Sequence, residues 1–148
     1  MNESLRLPSE LSIDSGIVLA YYLGEKLGAL VRTEIFQPEG KSLYHNRVCI
    51  AELFYVLCRR RGEKVAADYT RSYLSAGYSA LHDSELVDMT AGTYKCERAI
   101  SLADCYVIAV AKLQEASALF ARHETDLDRE IERKPFDVPV LFIEDLGR

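Results

Sequence analysis

Three apolar segments of the sequence each carry a single acidic residue. Residues 11–24 contain Asp14, residues 48–58 contain Glu52, and residues 101–113 contain Asp104. An unpaired carboxylate is costly to bury, so acids in such segments normally have a hydrogen-bond donor or a cation beside them. If these three segments form the core, the fold must place a hydrogen-bond donor or a cation beside each of the three acids.

Length and composition favour one globular domain over residues 1–148. Apolar residues make up 49% of the chain and charged residues 28%, as in proteins that bury a sizeable core. No apolar run reaches the roughly 18 residues of a membrane span, and the N-terminus lacks the pattern of an export signal. We therefore expect a cytoplasmic protein with no membrane segment.

The net charge and the cysteine spacing argue against two kinds of protein, one that binds nucleic acid over a broad basic surface and one built around disulfides or a thiol metal site. The net charge of −5 argues against a broad basic surface for nucleic acid, although an enzyme that approaches nucleic acid through metal ions needs only local basic groups. No Cys-x-x-Cys spacing occurs among Cys49, Cys58, Cys96 and Cys105. We expect buried, reduced thiols rather than disulfides or a thiol metal site.

Predicted strands and helices alternate along the chain. The strands cover residues 11–14, 78–81, 86–89, 118–121 and 138–143, although 86–89 could instead begin a helix that runs to residue 98. The helices cover residues 17–30, 48–61, 63–76 and 101–115, and residues 33–46 form a loop, while 122–134 is a charged stretch without an assigned element. This alternation predicts an α/β fold with a parallel sheet covered on both faces.

Each acid has an ordinary structural explanation. Ser101 and Asp104 have the spacing of a capping box, in which the two side chains satisfy backbone N–H groups at a helix start. Glu52 could pair with a distant arginine, and Asp14 could accept N–H bonds from a turn. Taken singly, no acid requires a functional site.

Taken together, the three acids favour a bound cation. An acid after the first strand and acids on two helices can meet at the carboxyl edge of one sheet. Carboxylates about 5 Å apart repel by roughly 3 kcal/mol per pair at an effective dielectric constant of about 20. A hard divalent ion, Mg²⁺ or Mn²⁺, would hold them together, because no local set of His or Cys side chains favours zinc.

Three motifs in this order resemble those of a known nuclease family. They read Ile-Asp-Ser at residues 13–15, Ile-Ala-Glu-Leu-Phe-Tyr-Val-Leu at residues 50–57, and Ser-Leu-Ala-Asp-Cys-Tyr-Val-Ile-Ala-Val-Ala at residues 101–111. The pattern is similar to that of PIN-domain ribonucleases, especially VapC-type toxins of toxin–antitoxin pairs, over residues 11–143. The resemblance implies a three-layer α/β/α fold with one or two divalent ions in an acidic pocket.

The resemblance also implies a set of site residues. Asp14, Glu52 and Asp104 match the metal ligands of the family, and Ser15 is a polar neighbour of the first. The fourth family acid lies in a motif after the next strand, where Glu124 and Asp126 both occupy acidic places. We expect both to be catalytic residues, with Asp126 as the metal ligand, although the motif leaves open which of the two reaches a metal.

The implied activity is cleavage of RNA phosphodiester bonds by a metal-activated water, in a toxin with an antitoxin partner and a homodimeric state. Lys95, Arg98 and Arg122 could contact the RNA backbone or be solvated surface charges. Exposed apolar faces on the first helices would suit the two protein partners. The alternatives are an RNA-processing or decay nuclease without an antitoxin, and an inactive module that binds RNA or protein.

Overall fold

A five-stranded parallel sheet forms the centre of the computed structural model, which describes residues 6–147. Its strands are β1 (Glu10–Ile13), β2 (Ser42–His45), β3 (Ala80–Leu81), β4 (Ser117–Phe120) and β5 (Val140–Phe142). Their order is β3-β2-β1-β4-β5, and every neighbouring pair is parallel. Residues 1–5 and 148 lie outside the described residues, and with them most of the N-terminal segment on which the expectation about an export signal rests.

Helices flank the sheet and confirm the predicted three-layer α/β/α architecture. They are α1 (Ser15–Tyr22), α2 (Gly28–Val31), α3 (Arg47–Arg61), α4 (Glu63–Ala76), α5 (Glu85–Glu97), α6 (Leu102–Leu113) and α7 (Thr125–Arg133). Side chains of Asn46, Ser84 and Ser101 cap the starts of α3, α5 and α6. No helix within residues 6–147 is both long enough and apolar enough to cross a membrane.

The core divides into two apolar clusters. Successive residues of β4 point to opposite faces, so Leu119 packs in one cluster while Ala118 and Phe120 pack in the other. Buried Ser12 in β1 donates its hydroxyl to the carbonyl of Val107 in α6, at 2.8 Å. This bond ties the central strand to the helix that carries Asp104.

Two parts of the first half differ from the prediction. The helix predicted over residues 17–30 is interrupted, because α1 ends at Tyr22 and the chain turns through Gly24 (φ 64°) before α2. A π-helical turn, Arg32–Phe36, follows α2. The loop predicted over residues 33–46 contains β2, which pairs with β1.

Two parts of the second half also differ. Residues 86–89 belong to α5, so the strand assignment was wrong and the alternative helix is correct. The charged stretch 122–134 contains α7.

All four cysteines are unbridged, but Cys58 is half-buried and Cys96 is exposed, which corrects the expectation of four buried thiols.

Strand order places the predicted site at the centre of the sheet. Strand β1 lies in the middle of the sheet, with β2 on one side and β4 on the other, so the connections that follow β1 and β4 run in opposite directions. Open α/β sheets bind ligands in the crevice at the carboxyl ends of strands where such connections diverge. Asp14 follows the carboxyl end of β1 directly.

Candidate metal centre

Asp14 lies in the turn between β1 and α1. Its Oδ2 atom accepts a hydrogen bond from the Gly16 N–H at 3.0 Å, which caps α1. Burial and, after it, the charges of Asp104 and Glu52 together raise the pKa of Asp14 to about 8, although the Gly16 N–H lowers it. The predicted turn bond is therefore present but does not offset the desolvation and repulsion.

Glu52 reaches the same position from α3. Buried Ser15 donates its hydroxyl to Glu52 Oε1, so the first turn of α1 holds a carboxylate of another helix. Ligand atoms of Asp14, Glu52 and Cys49 all lie within 4.8 Å of one another. Two acids that are distant in sequence therefore converge at the edge of the sheet.

Asp104 lies in the first turn of α6 and is buried. The Ser101 hydroxyl accepts a hydrogen bond from the Asp104 backbone N–H at 3.2 Å, so the helix is capped as predicted. This bond uses the backbone of residue 104. Burial raises the pKa of the Asp104 carboxyl to about 7, with further contributions from the charges of Glu124 and Glu52.

The two candidates for the fourth acid have different surroundings. Glu124 immediately precedes α7, and its pKa is raised by burial and then by the charge of Glu52. Its own charge raises the pKa values of Asp14 and Asp104. Asp126 is exposed and pairs with Arg129 at 3.6 Å. Both residues are exposed, but the charge of Glu124 acts on Asp14 and Asp104, whereas Asp126 is paired with Arg129.

We refer to Asp14, Glu52, Asp104 and Glu124 as the acid cluster. None of the ion pairs in the described part of the chain involves these four carboxylates. The distant arginine considered as a partner for Glu52 is therefore not found within residues 6–147. Oxygen donors of this kind suit a hard divalent cation.

Comparison with known families agrees with this geometry. A model of the PIN domain matches residues 11–132. The chain belongs to the PIN domain family. A comparison with curated proteins gave no match.

Solved structures with the same fold include VapC proteins. VapC20 of Mycobacterium tuberculosis, described as a sarcin-ricin loop cleaving toxin, is 17% identical with a TM-score of 0.63, over 82% of this chain and 94% of that one. VapBC2 of Rickettsia felis, bound to promoter DNA, is 12% identical with a TM-score of 0.62, over 88% and 96%. VapBC-1 of nontypeable Haemophilus influenzae is 15% identical with a TM-score of 0.59, over 91% and 98%.

Cys49 is a neighbour of the acid cluster that sequence reasoning missed in this PIN domain. Its thiol is buried and accepts a hydrogen bond from the Asn46 side chain at 3.3 Å. Burial and the charge of Asp14 raise the thiol pKa. The signal was its position three residues before Glu52, on the same face of the helix. A single thiol is not the set of His or Cys side chains that would favour zinc, so the preference for a hard divalent ion stands as a prediction.

The three basic residues predicted to contact RNA lie in different environments. Lys95 is exposed and donates to the Ile100 carbonyl at 2.7 Å, just before α6. Arg122 is about half-exposed and pairs with Glu25. The Arg98 side chain is only 5% exposed, donates to backbone carbonyls of residues 130, 134 and 135, and lies 3.7 Å from Glu130. Its burial corrects the prediction of an RNA contact.

His123 lies beside the acid cluster but is engaged elsewhere. Its Nδ1 lies 2.8 Å from Asp128, its Nε2 lies 3.0 Å from Asp145, and its ring stacks on Phe142. The bond to Asp128, followed by the bond to Asp145, raises the pKa of His123. Because both ring nitrogens are engaged by carboxylates outside the acid cluster, we assign this histidine a structural role.

Proposed function

We propose that this PIN domain is a divalent-metal-dependent endoribonuclease that hydrolyses RNA phosphodiester bonds as the toxin of a toxin–antitoxin pair. The observation that carries the proposal is the acid cluster, whose carboxylates come from four parts of the chain and take part in no ion pair among residues 6–147. The proposed ligands of Mg²⁺ or Mn²⁺ are Asp14, Glu52 and Asp104, with Glu124 as the fourth acid. Asp126 is a less suitable ligand because it points to solvent.

When bound, a divalent ion lowers the pKa of water and neutralises negative charge on the phosphodiester. Hydrogen-bond donors in the first turn of α1 position two of the acids to bind such an ion. The Gly16 N–H holds Asp14, and the Ser15 hydroxyl holds Glu52. The raised pKa values of Asp14 and Asp104 mean that these carboxyls carry protons near neutral pH, which ion binding would release.

The toxin assignment is supported by the fold shared with VapC20 and with the VapBC complexes. The toxin assignment has further parts. We propose that the chain is a single domain of 148 residues, that it forms a homodimer, and that it binds an antitoxin in the cytoplasm. Large apolar side chains that could meet these protein partners are exposed on α3 to α6, namely Tyr55, Leu74, Leu86, Met89 and Leu102. Such faces were expected on the first helices; Tyr55 lies on α3, and the other four side chains lie on α4 to α6.

The nuclease proposal is tested with purified protein and an end-labelled RNA. We expect cleavage with Mg²⁺ or Mn²⁺, none with EDTA, and a loss of about 100-fold or more in Asp104→Asn. Cleavage that persists in EDTA or in that variant would overturn the proposed chemistry. An absence of cleavage by the wild type with either ion would favour a binding module.

The toxin part needs a separate experiment. Expression in bacteria should stop growth for the wild type but not for Asp104→Asn, and coexpression with the product of an adjacent small gene should restore growth. RNA cleavage in vitro without any growth arrest would favour a processing or decay enzyme.

A further inference from the structure

Glu25 holds two arginines that come from distant parts of the chain. Arg60 at the end of α3 lies 3.3 Å from Glu25 Oε1, and Arg122 after β4 contacts Oε2 of the same carboxylate. The side chain of Glu25 is 23% exposed, whereas those of Arg60 and Arg122 are 56% and 48% exposed. Each oxygen of one carboxylate is therefore engaged by its own guanidinium group.

The connection between α1 and α2 fixes the backbone at Glu25. The Glu25 N–H donates to the Ala20 carbonyl at 3.0 Å, and the Gly28 N–H donates to the Glu25 carbonyl at 2.8 Å. A cleft of 310 Å³ lies beside the carboxylate and is also lined by Arg32. Two arginines thus engage one acid, and a third lines the neighbouring cleft, in a protein whose net charge is −5.

Two converging guanidinium groups also suit a phosphate. Arginine binds carboxylate and phosphate oxygens with the same planar donor geometry, and such charge-assisted bonds are among the stronger hydrogen bonds of proteins. A phosphate diester that displaced Glu25 would find both donor groups already close together. Because Glu25 engages both guanidinium groups and offsets one of their two positive charges in the free protein, it would compete with that phosphate.

The two arginines lie on the same chain segments as two acids of the cluster. Arg122 is two residues before Glu124, and Arg60 is eight residues after Glu52 on α3, which corresponds to about 12 Å along the helix axis. A chain of phosphodiesters that crosses the acid cluster could therefore reach the arginines with a neighbouring phosphate. Their positions fit a subsite for the backbone of the nucleic acid, away from the bond that is cleaved.

We infer that Arg60 and Arg122 form a phosphate subsite for single-stranded RNA, and that Glu25 occupies this subsite in the free protein and weakens RNA binding. The inference rests on the proposed ribonuclease function for the identity of the ligand. The Glu25 carboxylate thus competes intramolecularly with the RNA phosphate for the two arginines and is displaced when RNA binds.

The test measures binding of a fluorescent single-stranded RNA in EDTA, where cleavage does not contribute. Glu25→Gln keeps the shape of the side chain and removes its charge, so we expect about fivefold tighter binding at low salt. The slope of log affinity against log salt should steepen by about 0.7 for each additional phosphate that the arginines neutralise. Glu39→Gln, which removes the same charge from an exposed loop position, should leave the affinity unchanged.

Arginine variants show whether the tighter binding arises at this subsite. Adding Arg60→Ala and Arg122→Ala to Glu25→Gln should abolish the tighter binding, while circular dichroism reports that each variant remains folded. Wild-type and Glu25→Gln affinities that are equal would overturn the inference and leave the nuclease proposal standing. Tighter binding that survives removal of both arginines would also overturn it.

A second probe separates this inference from the proposed function. Inorganic phosphate should raise the melting temperature of Glu25→Gln more than that of the triple variant. If neither the wild type nor any variant bound RNA in EDTA, RNA would be excluded as the ligand of this subsite, and the phosphate-dependent difference alone would support an anion site; the ribonuclease proposal is decided separately, by metal-dependent cleavage. Equal shifts in the two variants would overturn that site as well.

Discussion

The hydroxyl of Ser15, in the first turn of α1, donates a hydrogen bond to the carboxylate of Glu52 on α3. Both partners lie next to Asp14 at the end of β1. The bond satisfies one lone pair of Glu52 and limits the orientations of its carboxylate, which would otherwise move away from the other acids. Ser15 is therefore a positioning residue for the acid cluster.

Ser15→Ala should weaken binding of Mn²⁺ by about tenfold, because the Glu52 carboxylate loses its positioning donor. Titration calorimetry measures this affinity. Ser12→Ala is the matched control, since it also removes a buried hydroxyl but breaks a bond to the Val107 carbonyl instead. Equal Mn²⁺ affinities in the two variants would contradict the positioning role.

Asp104→Asn should stabilise the metal-free protein at pH 8. Burial and neighbouring charges raise the pKa of Asp104 to about 7 and that of Asp14 to about 8, above the unfolded value of 3.8. The folded state therefore binds extra protons, and the associated stability is present at low pH and lost as the pH rises through these values. Removing one charge should raise the melting temperature by about 2–6 °C at pH 8.

The same variant should have little effect near pH 4, where both carboxyls are protonated in the folded state. Thermal melts in EDTA across this pH range give the comparison. The Ser101 cap is retained because it uses the backbone N–H of residue 104. A lower melting temperature for Asp104→Asn at pH 8 would show that its carboxylate has a mainly structural role.

Glu124→Gln and Asp126→Asn are matched tests of the fourth acid. Glu124 interacts with the other carboxylates, whereas Asp126 is exposed and pairs with Arg129. We expect Glu124→Gln to lower the RNA cleavage rate by about 10- to 100-fold, and Asp126→Asn to change it by less than about threefold. Initial rates with saturating Mg²⁺ would show a reversed order if Asp126 is the ligand.

Gly16→Ala should displace the Asp14 carboxylate. A Cβ atom at residue 16 would lie 2.9 Å from Asp14 Oδ2 and 3.3 Å from the Ala121 Cβ. We expect about tenfold weaker Mn²⁺ binding by calorimetry, although alanine favours a helix. Gly92→Ala is the control, because no atom outside the adjacent turns of its own helix lies within 4 Å of the added group there. It should preserve Mn²⁺ affinity and raise the melting temperature slightly.

Arg98→Met should destabilise the fold without acting on the acid cluster directly. The guanidinium group donates to three backbone carbonyls around the end of α7 and is almost completely buried. Its removal leaves those carbonyls without this donor, so we expect the melting temperature to fall by more than about 5 °C. Arg129→Met, at an exposed position of the same region, should change it by less than about 2 °C.

Segments with clear local signals were predicted well from the sequence. Helix α4 covers the predicted residues because Gly62 and Gly77, both with positive φ, bound it. Ser101 caps α6 as expected, which fixes the position of Asp104. Local chemistry determines these boundaries, so a single sequence is sufficient to find them.

Elements that depend on distant contacts were missed. Strand β2 has only Leu43 and His45 buried and follows Pro38 and Gly40, so its pairing with β1 decides its structure. Helix α7 has few apolar residues, and its buried Glu130 lies beside Arg98 far away in sequence. The start of α7 also decides whether Glu124 or Asp126 faces the other acids, and the sequence pattern alone did not distinguish them.

The acids of the cluster come from widely separated parts of the chain. A cut between β3 and α5 would leave Asp14 and Glu52 on one fragment and Asp104 and Glu124 on the other. Neither half would carry a complete set of ligands. Mixing the two fragments should therefore regenerate ion binding only when the halves dock into one sheet, which makes ion affinity a reporter of correct assembly.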